Sequence, residues 1–458
     1  MASKTTHSFA ASFSLVLLVL SCVSAVPLAR EQPTGGAISL PPRVAPTNPD
    51  GTFNHDAAKR FNRRVMERLR QNLRNLEKNC GGLPEGIKIP DLAAVPQNPA
   101  HVPRTDEDSN DKVTHTKRTS KKAEEGLTDE EGDVEWAGNI EIGTPSKKFL
   151  IDFDTGSSDL WVVASSCTDG PCAKKNKYDV AKSSTSKKES GTFSIVYGDN
   201  STVSGPISSD TVTVAGATAM NQTFSAVTTL SKSFADDPTD GILGLAWPAI
   251  SNLKAKPWFL NAAEQGAVKK KEFGFYLSSG NGSQLYLGGT DPELYSGSLE
   301  YHKVDPSEGF WKVLDARIHV GGKEAVKDFQ TIIDSGTTLM YGPPAAVKEF
   351  FSKVDGASVY DEQEGFYSFP CDKVPKVSFS WGAHGKKFVV PSENFNLGQT
   401  EKGSSSCVAS LAASDLGLGN AWLIGDSFMK GVYAGFRFGE KDITKDAAVG
   451  FAELKKKK

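Results

Sequence analysis

Two short stretches decide the reading of this chain: Phe153-Asp154-Thr155-Gly156-Ser157-Ser158 and Ile333-Asp334-Ser335-Gly336-Thr337-Thr338. Each runs apolar residue, Asp, Thr or Ser, Gly, then two hydroxyl residues, and the two aspartates stand 180 positions apart. At average residue usage an Asp-Thr/Ser-Gly triplet occurs about 0.2 times in a chain of this length. A second element follows each copy: Gly241-Ile242-Leu243-Gly244-Leu245 after the first, Trp422-Leu423-Ile424-Gly425-Asp426 after the second. Such an internal repeat implies two similar halves, each giving one loop to a shared cleft.

The residue types suit a site. Gly after the hydroxyl residue lets its N–H approach the carboxylate. The Thr155 and Ser335 hydroxyls can brace the opposite loop, and those of Ser157 and Thr337 can donate to the outer carboxylate oxygens. Phe153 and Ile333 seat each loop on its half. Two carboxylates held face to face cannot both ionise readily, so they share one proton. One is then a base and the other an acid at the same pH. A water between them can be deprotonated as it attacks a peptide carbonyl. That chemistry calls for no metal and no cofactor.

The surrounding sequence reads as β. Short runs such as Trp161-Val162-Val163, Phe193 to Tyr197 and Gln284 to Leu287 are broken by Gly, Asn, Asp and Ser, and Ala345–Val354 is one short helical candidate. The 458 residues include 42 aromatics, too much burial surface for a disordered chain. The net charge of −3 argues against a nucleic-acid partner, but it is unevenly spread. Residues 1–122 carry 18 Lys and Arg against 11 Asp and Glu, and the remainder carries 34 against 44. A basic front and an acidic body attract one another.

The front has its own organisation. Lys4, the run Leu15 to Leu20 and the small residues Val23-Ser24-Ala25 have the layout of a secretory signal peptide cut after Ala25. No apolar run is long enough for a membrane span. Residues 26–56, rich in Pro, Gly and Asn, read as irregular. Phe61, Val65, Leu69, Leu73 and Leu76 then mark one face of an amphipathic helix, with Lys59, Arg60, Arg63, Arg64, Arg68, Arg70 and Arg74 on the other. That basic face is either solvated or docked on an acidic cleft. Residues 102–133 read as an exposed linker holding the dibasic pairs Lys117-Arg118 and Lys121-Lys122. The four body cysteines allow three pairings, of which Cys167–Cys172 and Cys371–Cys407 are the most economical; no His stands beside them in zinc-ligand spacing. Asn200, Asn221 and Asn281 open glycosylation sequons, and Asn221 and Asn281 are the expected acceptors.

Over about residues 134–454 the chain resembles the pepsin-like aspartic endopeptidases, with a flavour closest to secreted fungal (polyporopepsin-like) members. The resemblance implies an all-β bilobal fold, two pseudo-symmetric lobes around a central cleft, preceded by a partly helical propeptide. The corresponding boundaries are 1–25 signal peptide, 26–122 propeptide and linker, 123–305 N-terminal lobe and 306–458 C-terminal lobe. It implies that Asp154 and Asp334 are catalytic, with Thr155, Gly156, Ser157, Ser335, Gly336 and Thr337 bonded around them. Tyr197-Gly198 match the tip of a flap over the substrate, Trp161 its hydrogen-bonding partner, and Ile332 a substrate contact. Asp199 matches an acidic position associated in fungal relatives with accepting Lys before the cut. The implied partners are polypeptide substrates, pepstatin-like inhibitors and the chain's own propeptide, in a monomer that is extracellular or, alternatively, vacuolar. A catalytically inactive pepsin-like binding protein is the competing expectation; a glycosidase with paired carboxylates has no support beyond the carboxylates.

Overall fold

The computed structural model describes residues 36–40, 46–90, 136–168, 170–196, 202–235, 237–279 and 282–455. The signal-peptide segment, the linker with its dibasic pairs, Tyr197, Gly198, Asp199, Asn200 and Asn281 lie outside these residues.

The Gly- and Asn-punctuated apolar runs form strands. Ala137–Ile142, Lys147–Asp154, Gly241–Gly244, Leu160–Val163, Ala217–Val227, Thr202–Val214 and Lys187–Val196 build one seven-stranded sheet in that spatial order. Leu160–Val163 is buried throughout, so it reads as an unbroken apolar run rather than an alternating one. The strand ending in Asp154 pairs in parallel with Gly241–Gly244, in the register Asp154 to Gly244. Gly241–Gly244 also takes Leu160–Val163 antiparallel, and that strand runs parallel to Ala217–Val227.

The second half repeats this scheme. Lys323–Ile333, which ends just before Asp334, pairs in parallel with Ala421–Ile424. Ala421–Ile424 takes Met340–Gly342 antiparallel, and Met340–Gly342 runs parallel to Leu411–Ala413. The sequence repeat is therefore a repeat of strand pairing, and in both copies the aspartate leaves the sheet at the same point.

Strands from both halves make a common base, ordered Gly36–Leu40, Ser283–Leu287, Glu272–Tyr276, Val432–Arg437, Ala448–Leu454 and Tyr295–Asp305, all antiparallel. Over it Trp247 and Trp311 pack at a tilt of 56° with ring centres 4.0 Å apart, beside Phe438. The strand Gly36–Leu40 corrects the reading of residues 26–56 as irregular. Five residues carry little periodicity, and the edge Ser283–Leu287 supplies their hydrogen bonds. A four-stranded sheet of residues 358–409 holds the Cys371–Cys407 bond, and Cys167–Cys172 closes a loop of the first half.

The amphipathic pattern becomes the helix His55–Cys80. Asn54 caps it by accepting from the Ala57 N–H, and Gly81 ends it in the left-handed conformation at φ 78°, where glycine has no Cβ to clash. Val65, Leu69, Leu73 and Leu76 are buried against Ile332, Tyr341, Phe366, Leu416 and Leu418. Burial of each such side chain is worth about 1.5–3 kcal/mol. The short helical candidate appears as Pro344–Phe351. No helix among the described residues is long and apolar enough to cross a membrane.

Candidate active site

Both aspartate loops turn back at once after their strands, and the repeat brings them together. Thr155 N–H donates to Ser335 Oγ (3.1 Å) and Ser335 N–H to Thr155 Oγ1 (2.9 Å). Each hydroxyl then donates across the interface to the carbonyl before the opposite aspartate, Thr155 to Ile333 (3.0 Å) and Ser335 to Phe153 (2.7 Å). Four reciprocal bonds thus fix the separation of the loops. All the groups involved are buried, where an unmade bond costs about 1–3 kcal/mol.

The carboxylates are held from within their own loops. Gly156 N–H donates to Asp154 Oδ1 (2.8 Å) and Gly336 N–H to Asp334 Oδ1 (3.0 Å). Ser157 Oγ donates to Asp154 Oδ2 (2.5 Å) and Thr337 Oγ1 to Asp334 Oδ2 (2.6 Å). The glycines are required by proximity. A Cβ on Gly156 would stand 2.5 Å from Asp334 Oδ1, and one on Gly336 2.6 Å from Asp154 Cγ. The downstream glycines serve packing: a Cβ on Gly244 would meet Ser157 O at 2.5 Å, and one on Gly425 would meet Leu339 O at 2.5 Å.

The helix His55–Cys80 lies across this pair and places Arg68 on it. Arg68 Nη1 donates to Asp154 Oδ1 at 2.6 Å, while Nη2 donates to Asp334 Oδ2 and to Thr337 Oγ1, the latter at 2.7 Å. Asn72 Nδ2 donates to the Gly156 carbonyl (2.7 Å) and Asn75 Nδ2 to that of Ile250 (2.9 Å). A planar guanidinium spans two carboxylates in a way that an ammonium cannot. Burial pushes the Asp334 carboxyl up to about 6; Arg68 opposes this and the neighbouring Asp154 charge adds to it. For Arg68 burial acts downward, but Asp154 and Asp334 outweigh it and hold the guanidinium above its ordinary value. Asp426, one residue past Gly425, is wholly buried. Burial raises it well above the carboxylate range; Lys430 opposes the shift, and the Asp152 and Asp334 charges add to it.

Of the remaining expected site residues, Trp161 lines the same cleft, with its ring edge-on to Phe234 at 5.3 Å. Ile332 is fully buried in the cluster under the helix. Asn221 is exposed, at φ 50°, and accepts from Lys187 Nζ at 2.9 Å. Arg68 is the group that sequence reasoning did not single out. It was one of seven basic residues on a face, and its only signal was its place beside Leu69 at the edge of the apolar stripe. Asn72 and Asn75 were missed likewise: two amides flank Leu73 on a face otherwise bound for the core.

The family described as "Eukaryotic aspartyl protease" matches residues 135–453. An aspartic protease of Phaffia rhodozyma is 42% identical over 333 residues, covering 71% of this chain and 78% of that protein. The major aspartyl peptidase 1 of Cryptococcus neoformans is 34% identical over 369 residues, covering 75% and 74%. Pepsin A of Bos taurus is 36% identical over 321 residues, covering 68% and 83%.

Proposed function

The chain belongs to the eukaryotic aspartyl proteases and is an aspartic-type endopeptidase, and from that premise we propose that Asp154 and Asp334 are its catalytic pair, held inactive by residues 26–122 until acid releases them. The observation that carries the proposal is Arg68 bridging both carboxylates from a helix of the basic front.

The chemistry follows from the environments. The buried Asp334 retains its proton into mildly acidic pH, and Asp154 then accepts the proton of a water lying between them. That water attacks the peptide carbonyl while the Asp334 proton supports the developing oxyanion. Substrates are extended polypeptides with bulky apolar residues at the cut, taken under a flap tipped by Tyr197 and Gly198. Asp199 would add tolerance for Lys. Residues 1–25 direct the chain to the secretory route, ending outside the cell or in the vacuole, and two disulfides suit that oxidising path. The mature protein is a monomer of two lobes, 123–305 and 306–458.

The pH switch has a defined sign. Arg68 draws the Asp334 carboxyl downward, so the bridged state favours the ionised form. The contact is present where Asp334 is ionised and is lost as pH falls through about 6. His55 and Asp361 pair at 2.8 Å in the helix's first turn. Burial acts upward on Asp361, but the Glu364 N–H and His55 prevail and hold it below the ordinary range. That contact is therefore present above the ordinary carboxylate pKa and lost only in stronger acid. The test is casein digestion at acid pH with and without a pepstatin-type inhibitor, together with N-terminal sequencing before and after acidification. Inhibitor-sensitive cleavage with a new N-terminus after the basic front is the expected result; insensitive cleavage, or activity from an unprocessed chain at neutral pH, would refute the proposal.

A further inference from the structure

Arg64 stands one helical turn before Arg68 and enters a different anionic site. Its Nη1 lies 3.4 Å from Asp237 Oδ2, and Nη2 donates to the Ser233 carbonyl. Its guanidinium carbon is 5.1 Å from the centre of the Phe234 ring. With the helix in place the Asp237 side chain is 3% exposed, so its contact with Arg64 is made in a largely dehydrated position. A carboxylate, a carbonyl and a ring face together match the donors and flat surface of a guanidinium better than those of an ammonium. The same cavity is lined by Trp161, Ile195 and Asp154, so it opens onto the aspartate pair.

The spacing locates it along a substrate. Four helical residues rise about 6 Å, and an extended peptide advances about 3.3 Å per residue. For a substrate running along the helix's direction, with its reacting bond where Arg68 now lies, the Arg64 position falls about two residues away. We propose that Ser233, Phe234 and Asp237 form a substrate subsite selecting Arg within about two residues of the cleaved bond, and that Arg64 is its internal occupant. The proposal rests on the reading of Asp154 and Asp334 as the reacting centre. It is separate from the expectation for Asp199, which belongs to another segment. Lys175 Nζ donates to the Asp237 carbonyl and gives the pocket a cation of its own.

The test uses the full chain, acidified until its activity is constant, and peptides with an apolar pair at the cut. Each of the two positions on either side is varied among Arg, citrulline, Lys and Leu. One position should show Arg cleaved at least tenfold faster than its uncharged isostere citrulline, in kcat/KM, with Lys between them. Asp237→Asn should lower that Arg-to-citrulline ratio at least tenfold, and Asp237→Glu should keep most of it. Equal rates for Arg and citrulline at every position in the wild-type chain would overturn the subsite, as would a ratio untouched by Asp237→Asn. The wild-type comparison decides the matter even if an Asp237 variant fails to fold. Failure to cleave any of the peptides would instead overturn the catalytic reading, and the subsite with it.

Discussion

The helix His55–Cys80 meets the two halves of the molecule on different terms. Toward the first half it offers polar atoms: Asn72 to the Gly156 carbonyl, Asn75 to the Ile250 carbonyl and Arg64 to Asp237. Most of its apolar cover comes from the second: Leu69, Leu73 and Leu76 are buried in a cluster with Ile332, Tyr341, Phe366 and Leu418 that also takes in Ala246 and Ile250 of the first, and its first turns make polar contacts from His55 to Asp361 and Asn62 to Tyr341. The aspartate loops beneath are nearly exact copies of one another, so the asymmetry belongs to the helix and not to the site. Charged contacts weaken when carboxylates take up protons, whereas an apolar stripe does not titrate. On the proposed reading, acid loosens the helix at the carboxylate pair while its apolar seat persists.

The comparison can be broken most sharply at the carboxylates. Asp154→Asn and Asp334→Asn should each lower kcat/KM on an apolar peptide at acid pH by about 10³-fold or more; a loss confined to one of them would make the halves unequal in function. Next in size, Arg68→Met should let the intact chain cleave that peptide near neutral pH at least about tenfold faster than wild type, because the bridge over both carboxylates is gone. In the wild-type chain, amide protection factors across residues 64–76, taken relative to the intrinsic exchange rate at each pH, should fall as pH drops below about 6; protection unchanged down to pH 4 would remove Asp334 as the trigger.

Smaller effects sharpen the contrast. Leu73→Ala deletes a fully buried side chain of the apolar cluster under the helix and should weaken helix docking by about 2–4 kcal/mol, seen as activation at a higher pH and a lower unfolding temperature of the intact chain. The smallest effects should be equal: Thr155→Val and Ser335→Ala each remove one hydroxyl of the reciprocal set and should cost about 1–3 kcal/mol in thermal unfolding. Unequal costs would place the asymmetry in the loops after all.

Much of this was legible in the sequence because it repeats or keeps a period. The doubled Asp-Thr/Ser-Gly element implied the paired loops, and the recurring Gly244 and Gly425 mark the strands that support them. The stripe from Val65 to Leu76 gave the helix its buried face. Arg68 was hidden because helical periodicity sorts residues by face and cannot tell a solvated arginine from one at the edge of a stripe that meets two carboxylates. Asp237 and Phe234 were hidden for a related reason: nothing local marks a turn residue as the wall of a cleft until Arg64, 173 residues away, is brought to it. The strand Gly36–Leu40 takes its hydrogen bonds from Ser283–Leu287, and no local pattern records so distant a pairing.

The central claim is that Asp154 and Asp334 act as one unit. Groups that share one proton and one water lose their function together, so their deletions do not add. The direct measurement is kcat/KM for Asp154→Asn, Asp334→Asn and the double variant on one apolar peptide at acid pH. The account predicts a double variant within a few-fold of either single one. A double variant slower by the product of the two separate losses would mean that the carboxylates act independently and would contradict it.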